Sequence, residues 1–164
     1  MADYNEITLE QEIAEHLAAH GWLYSPNDDG YDGERALFPE DIFGWLADTQ
    51  PDELAKVVTT GAAREDQQRA QVLDRLVKVL ETPLESGGGT LNVLRKGFSH
   101  ISARFDLCQF MPESTLNPAT VERYDKVRVR VMRQVHYSTA TNHSLDLVLF
   151  VNGLPVATLE LKTD

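Results

Sequence analysis

Asp146 is followed, after thirteen intervening residues, by Glu160-Leu161-Lys162, and both acids sit in apolar stretches, Leu145 to Val151 and Pro155 to Leu161. Burying an ionised group without compensation costs several kcal/mol, so charges in core-like sequence imply a counter-ion, a hydrogen-bond network or a metal. Two carboxylates and an ammonium together suggest a divalent-metal site for cutting a phosphodiester. The spacing alone recurs by chance. The competing expectation is a Glu160-Lys162 ion pair on a solvated edge strand.

Side chains alternate along a strand, and the chemistry needs all three groups on one face. Glu160 and Lys162, two apart, share a face. Asn152-Gly153 between the apolar stretches signals a hairpin. A two-residue turn pairs Val151 with Leu154 and Asp146 with Leu159, sending Glu160 to the opposite face. A three-residue loop, Val151-Asn152-Gly153 with the glycine left-handed, pairs Asp146 with Thr158 and makes Glu160 its diagonal neighbour. The shared site therefore predicts a bulged three-residue turn.

The chain of 164 residues, 42% hydrophobic and 25% charged, is long enough to bury the core of one globular domain. It has no run of eighteen apolar residues and opens Met1-Ala2-Asp3-Tyr4-Asn5-Glu6, without a signal segment, so a cytoplasmic location and no membrane partner are expected. Cys108, the lone cysteine, lies in an apolar run and is expected to fill core. A structural zinc on it is excluded, since neither a second cysteine nor a close His-x-x-x-His pair accompanies it.

The net charge of -11 is unevenly spread. Residues 1–86 hold 19 acids and 6 bases, a net of -13; residues 87–164 hold 7 acids and 9 bases, a net of +2. A phosphate backbone can approach the second part while the acidic part faces solvent or a protein partner. An acidic helical lead over 1–86 followed by basic core strands over 90–164 is the expected organisation.

Thr8 is placed to cap a helix from Leu9 to His20, with Leu9, Ile13 and Leu17 at helical spacing and Gly21 as its stop. Pro39 opens a short helix with Ile42, Phe43 and Leu46. A longer one spans about Glu65 to Glu81 on the stripe Val72, Leu73, Leu76, Val79 and Leu80, ended by Pro83. Ser86-Gly87-Gly88-Gly89-Thr90 reads as a flexible connection and not a phosphate loop, because no Gly-Lys-Ser/Thr follows. Strands are expected at about Phe105–Phe110, Lys126–Tyr137, Leu145–Val151 and Val156–Lys162. Helices first and strands later give an α/β or α+β domain with a mixed, largely antiparallel sheet. In the second strand Val127, Val129 and Val131 alternate with Lys126, Arg128 and Arg130, with Arg133 just beyond, a basic stripe able to contact DNA phosphates. His136, Tyr137 and His143 bracket a Ser/Thr/Asn loop and receive no catalytic role.

Leu91-Asn92-Val93-Leu94-Arg95-Lys96-Gly97-Phe98, Arg104-Phe105-Asp106-Leu107, Arg130-Val131-Met132-Arg133-Gln134-Val135, and above all Leu145 through Val151-Asn152-Gly153-Leu154-Pro155 to Glu160-Leu161-Lys162, resemble the N-terminal nuclease region of the R subunit of type I restriction enzymes. Leu9-Glu10-Gln11-Glu12-Ile13 through Gly21-Trp22 resembles the family's opening helix; residues 23–89 carry little of the match. The resemblance implies a restriction-endonuclease-like core flanked by helices. Asp146, Glu160 and Lys162 would be its catalytic trio, and Asp146, Glu160 and the Leu161 carbonyl would hold Mg2+. An opening-helix acid often joins such sites, and Glu12 is the expected one, ahead of Glu10. The partners implied are double-stranded DNA and the modification and specificity subunits, with ATP serving motor domains that lie outside this chain.

By that resemblance the chain is expected to be a truncated fragment of a longer subunit, without the family's following helix whose Gln and Tyr support the site. An exonuclease or Holliday-junction enzyme of the same fold fits the trio alone. From another class, a non-catalytic module docking the subunit onto its partners or DNA fits the acidic part.

Overall fold

An amphipathic helix needs a surface on which to bury its stripe, and the opening helix finds it on one face of a sheet. The computed structural model describes residues 3–138 and 140–162, with side chains from Glu6 onward; Met1, Ala2, Thr139, Thr163 and Asp164 lie outside the described residues. The elements are α1 (Asp3–Ala19), β1 (Leu23–Ser25), α2 (Pro39–Thr49), α3 (Pro51–Ala55), α4 (Glu65–Leu80), α5 (Thr90–Lys96), β2 (Phe98–His100), β3 (Ala103–Phe105), α6 (Pro118–Asp125), β4 (Val129–His136), β5 (Ser144–Val151) and β6 (Leu154–Leu159), with a 3-10 turn at Leu84–Ser86. This is an α+β arrangement. It divides into two compact units, residues 1–40 with 128–164, and residues 41–127.

In the first unit the sheet order is β1-β4-β5-β6. β1 runs parallel to β4, while β4–β5 and β5–β6 are antiparallel, so the sheet is mixed and largely antiparallel, as expected. A parallel pair cannot be joined by a tight turn, and here the whole of residues 26–128 separates its strands. α1 covers one face: Ala14, Val131 and Leu147 are buried together, with Ile13, Leu17, Trp22, Tyr24, Leu149 and Leu159 around them. The other face buries Phe38, Met132, Val135, Val148 and Phe150, with Tyr31 and Leu145 packed on them. Among the described residues of this unit no helix packs on that cluster. The segment before α2 does, its Tyr31 and Phe38 rings meeting Phe150 edge-on at 6.0 and 6.4 Å.

The structure corrects several boundaries. α1 begins at Asp3, so Thr8 lies inside it and does not cap it; the acid at Glu6, early in the helix, suits the positive end of the helix dipole. Gly21 ends the helix as expected, at φ +92°. The strand expected over Phe105–Phe110 stops at Phe105. Beyond it, side chains replace a ladder: Gln50 accepts from the Asp106 N–H and donates to its carbonyl, both at 2.8 Å, and Trp45 Nε1 donates to the same carbonyl at 2.8 Å. Residues 86–90 are a tight turn and not a loose connection, since a Cβ on Gly88 would fall 1.8 Å from the Thr82 carbonyl oxygen. α4 matches its expected span to within a residue.

The β5–β6 hairpin is anchored at its turn. Asn152 (φ +46°) and Gly153 (φ +84°) both occupy the left-handed region, as a two-residue I′ turn requires. The Asn152 side chain is wholly buried. Its Oδ1 accepts from the Arg128 N–H at 2.7 Å, and its own N–H donates to the Arg128 carbonyl at 2.7 Å, adding one rung to the β4–β5 ladder. Asn152→Ala loses this bond between a wholly buried side chain and the part-buried Arg128 N–H, so it is expected to destabilise the first unit by about 1–3 kcal/mol in urea unfolding.

Candidate functional site

The expected three-residue turn is not formed. Val151 pairs with Leu154 and Phe150 with Pro155, the register of a two-residue loop, which carried unchanged would put Glu160 on the wrong face. One step on, the register shifts, so that Leu149 faces Ala157, Val148 faces Thr158 and Leu147 faces Leu159. Val156 is the extra residue of a bulge. The physical reason lies beside it, because Pro155 has no N–H for the ladder and proline in sheets is confined to edges and bulges. The bulge sits in the strand and not in the turn, and it restores the side-chain parity. Continued by one residue, the register sets Asp146 opposite Glu160.

That pair falls just beyond the ladder, since β6 ends at Leu159. There the half-buried Asp146 carboxylate takes over the role of a strand partner, its Oδ2 accepting from the Leu161 N–H at 2.7 Å. Asp146 is thus fixed against the residue whose carbonyl is the candidate third ligand. Glu160 and Lys162 are exposed, which corrects the expectation that their apolar flanks bury them. β6 is an edge strand whose Val156, Ala157 and Thr158 already face solvent. Among the described residues no group of three or more His, Cys, Asp or Glu side chains is placed to hold a metal.

The two candidate acids of the opening helix lie on different sides of it. Glu12 is exposed, beside Ile7, Thr8, Gln11 and Glu15 in a shallow depression. Glu10 is the buried one, 3% exposed, because the buried stripe of α1 runs Glu10, Ile13, Ala14, Leu17, while Leu9 is 47% exposed. Glu10 Oε1 accepts from Arg133 Nε at 2.7 Å and Oε2 from Gln134 Nε2 at 2.9 Å. Gln134 Oε1 in turn accepts from the Ser144 hydroxyl at 2.9 Å, two residues before Asp146. Gln134 holds φ +51°, a left-handed conformation that non-glycine residues seldom adopt. Its amide is tied at both ends. Arg133 also reaches the Tyr24 hydroxyl at 3.4 Å; the Tyr24 hydrogen bond, with Glu10 adding to it, raises its pKa against the opposing effect of burial. Sequence reasoning missed this network, although an acid in phase with Ile13 and Leu17 is its visible sign.

Within the first unit the arginines of β4 go to opposite faces, Arg130 to the Phe38 side and Arg133 to the α1 side. Lys126 ends α6 and pairs with Glu122 at 2.9 Å. Arg128 precedes β4 and meets Asn152 through its backbone. Arg130 stacks on Phe38, 4.1 Å from the ring centroid, and donates to Ser25 Oγ at 2.9 Å. Arg133, expected to contact DNA, is taken up by Glu10. His136 also has a structural partner, its backbone N–H and ring Nδ1 meeting Asp28 Oδ2 at 3.2 and 2.8 Å. Burial pushes the Asp28 carboxyl up, but these bonds outweigh it and leave the pKa below the usual value. Cys108 is half-buried, and burial raises its thiol pKa, so it is not an activated nucleophile.

A mixed sheet with a helix acid locked to its second strand, and a carboxylate seated at the foot of a bulged hairpin, is the frame on which the sequence resemblance can be tested. The family model described as Type I restriction enzyme R protein N terminus matches residues 3–164, and the chain belongs to that family. No curated protein and no solved structure matches it. No helix among the described residues is long and apolar enough to cross a membrane.

The two helix acids give a direct test. Glu10→Ala strands the Arg133 guanidinium without its partner and is expected to cost about 3–5 kcal/mol in denaturant unfolding. Glu12→Ala, on the exposed side of α1, should change stability by no more than about 0.5 kcal/mol.

Proposed function

We propose that this chain is the magnesium-dependent DNA-cleaving module of a type I restriction R subunit. The observation that carries the reading is the bulge at Val156, which returns Glu160 to the register position of Asp146 beside the Leu161 peptide. The donor chemistry fits magnesium: two carboxylates and a peptide carbonyl are hard oxygen ligands, with no thiolate or imidazole among them. Asp146, Glu160 and the Leu161 carbonyl would hold the ion. Magnesium bound there would polarise a phosphate and lower the pKa of an attacking water. Lys162, two residues from Glu160 and exposed, orients that water or stabilises charge on the phosphate. Glu10, held by Arg133 and Gln134, supports the strands and is not assigned as a ligand. The substrate is double-stranded DNA, and the recognised sequence is set by a separate specificity subunit.

A second reading, a module that docks onto modification subunits, is favoured by the irregular segment after β3. Its Phe110, Met111 and Leu116 are 48%, 77% and 91% exposed. Calorimetric titration of manganese or magnesium separates the two. On the nuclease reading the wild-type chain binds, and Asp146→Ala and Glu160→Ala each abolish the heat while the melting temperature stays close to wild type. Binding that survives both substitutions, or a folded wild-type chain that takes up no metal, overturns that reading in favour of docking.

A further inference from the structure

The end of α1 brings together two imidazoles that the reading above does not use. His16 lies in the last turn of α1 and His20 is the first residue past its end, its N–H turning to the Leu17 carbonyl, so the two side chains stand about one turn apart. Their ring centroids are 4.2 Å apart with planes tilted by 35°, and both residues are exposed. The His-x-x-x-His spacing that does not accompany Cys108 is present here.

His20 is already held in one tautomer. Its Nδ1 lies 2.7 Å from the His16 carbonyl oxygen. A carbonyl only accepts, so Nδ1 carries the hydrogen and Nε2 presents its lone pair. Metal-ligating histidines are oriented in this way, one ring nitrogen donating to a backbone carbonyl while the other takes the ion. The His16 ring makes no hydrogen bond among the described residues, leaving its nitrogens available. Exposed rings change rotamer on the picosecond-to-nanosecond scale, so the pair can open to admit an ion at little cost.

The geometry points to a two-imidazole chelate at the end of α1 for a borderline divalent transition ion, nickel, copper or zinc, with water completing the coordination. Histidines at i and i+4 on one helical face supply two ligands in zinc-binding helices. Imidazole selects these ions, whereas magnesium and calcium prefer oxygen donors. The proposal does not rest on the nuclease reading, since neither histidine lies on the strands that carry Asp146 and Glu160. The competing account is a ring pair that stacks and favours the negative end of the helix dipole without binding anything.

The test is calorimetric titration of nickel chloride into the whole chain carrying Asp146→Ala, which removes the candidate magnesium ligand. One equivalent should bind, undisturbed by a large excess of magnesium. His16→Ala and His20→Ala, made in that background, should each weaken binding by about tenfold or more. His16→Gln and His20→Gln serve as second variants that keep the helix polar, and all four should melt, without metal, at the parent's temperature. Nickel binding that is absent in the parent, equal in the histidine variants, or displaced by magnesium overturns the proposal.

Discussion

The period of two along a β-strand governs this molecule more than any single contact does. A slip of one residue between β5 and β6 would move Glu160 and Lys162 together to the face away from Asp146. Asn152-Gly153 imposes a two-residue turn, and that turn by itself gives the wrong parity. The extra residue at Val156 reverses it. Turn and bulge are therefore one device. Asn152, buried and bonded twice to Arg128, fixes where the hairpin begins, and Pro155 fixes where its ladder breaks.

A second constraint ties the helix to the same strands. Glu10 lies in a stripe with the buried Ala14 and the partly buried Ile13 and Leu17, and a buried acid there is tolerable only with its charge matched. Arg133 supplies the match and Gln134 takes the other oxygen, so the α1 carboxylate spans two consecutive residues of β4. Two neighbouring strand residues normally point to opposite faces. The left-handed backbone at Gln134 is what lets both meet Glu10. Local strain in β4 and a buried ion pair thus depend on each other. Through Ser144 the same amide reaches the start of β5.

The sequence made the helices and the sheet class legible because their signals are local. The α4 stripe, the Pro39 start, the Gly21 stop and the apolar runs of β5 and β6 all lie within a few residues of the features they predict. What escaped was set at long range. Glu10 looks like any surface acid until Arg133, 123 positions away, is placed against it. Residues 106–110 are apolar enough for a strand, and it takes Gln50 and Trp45, more than fifty positions away, to satisfy the backbone of Asp106 where the ladder stops. The bulge was half visible. The parity argument demanded one extra residue in the hairpin, and Pro155 marked the place, but turn chemistry drew attention to Gly153 instead.

The candidate site is built unevenly, and the unevenness has a consequence for binding. Asp146 is half-buried on a central strand, and the Leu161 N–H holds its carboxylate in one position. Glu160 and Lys162 sit past the end of an edge strand and are exposed. Fixing such long side chains costs up to about 2 kcal/mol each in lost conformational freedom. A ligand that engages all three groups must supply that ordering, whereas one that engages Asp146 alone need not. Phosphate and metal together offer Glu160 and Lys162 opposite charges at once, so each can offset the ordering cost of the other. β6 ends at Leu159, one residue short of Glu160, so that ordering falls on chain past the ladder, while the sheet and the Leu161 N–H already hold Asp146.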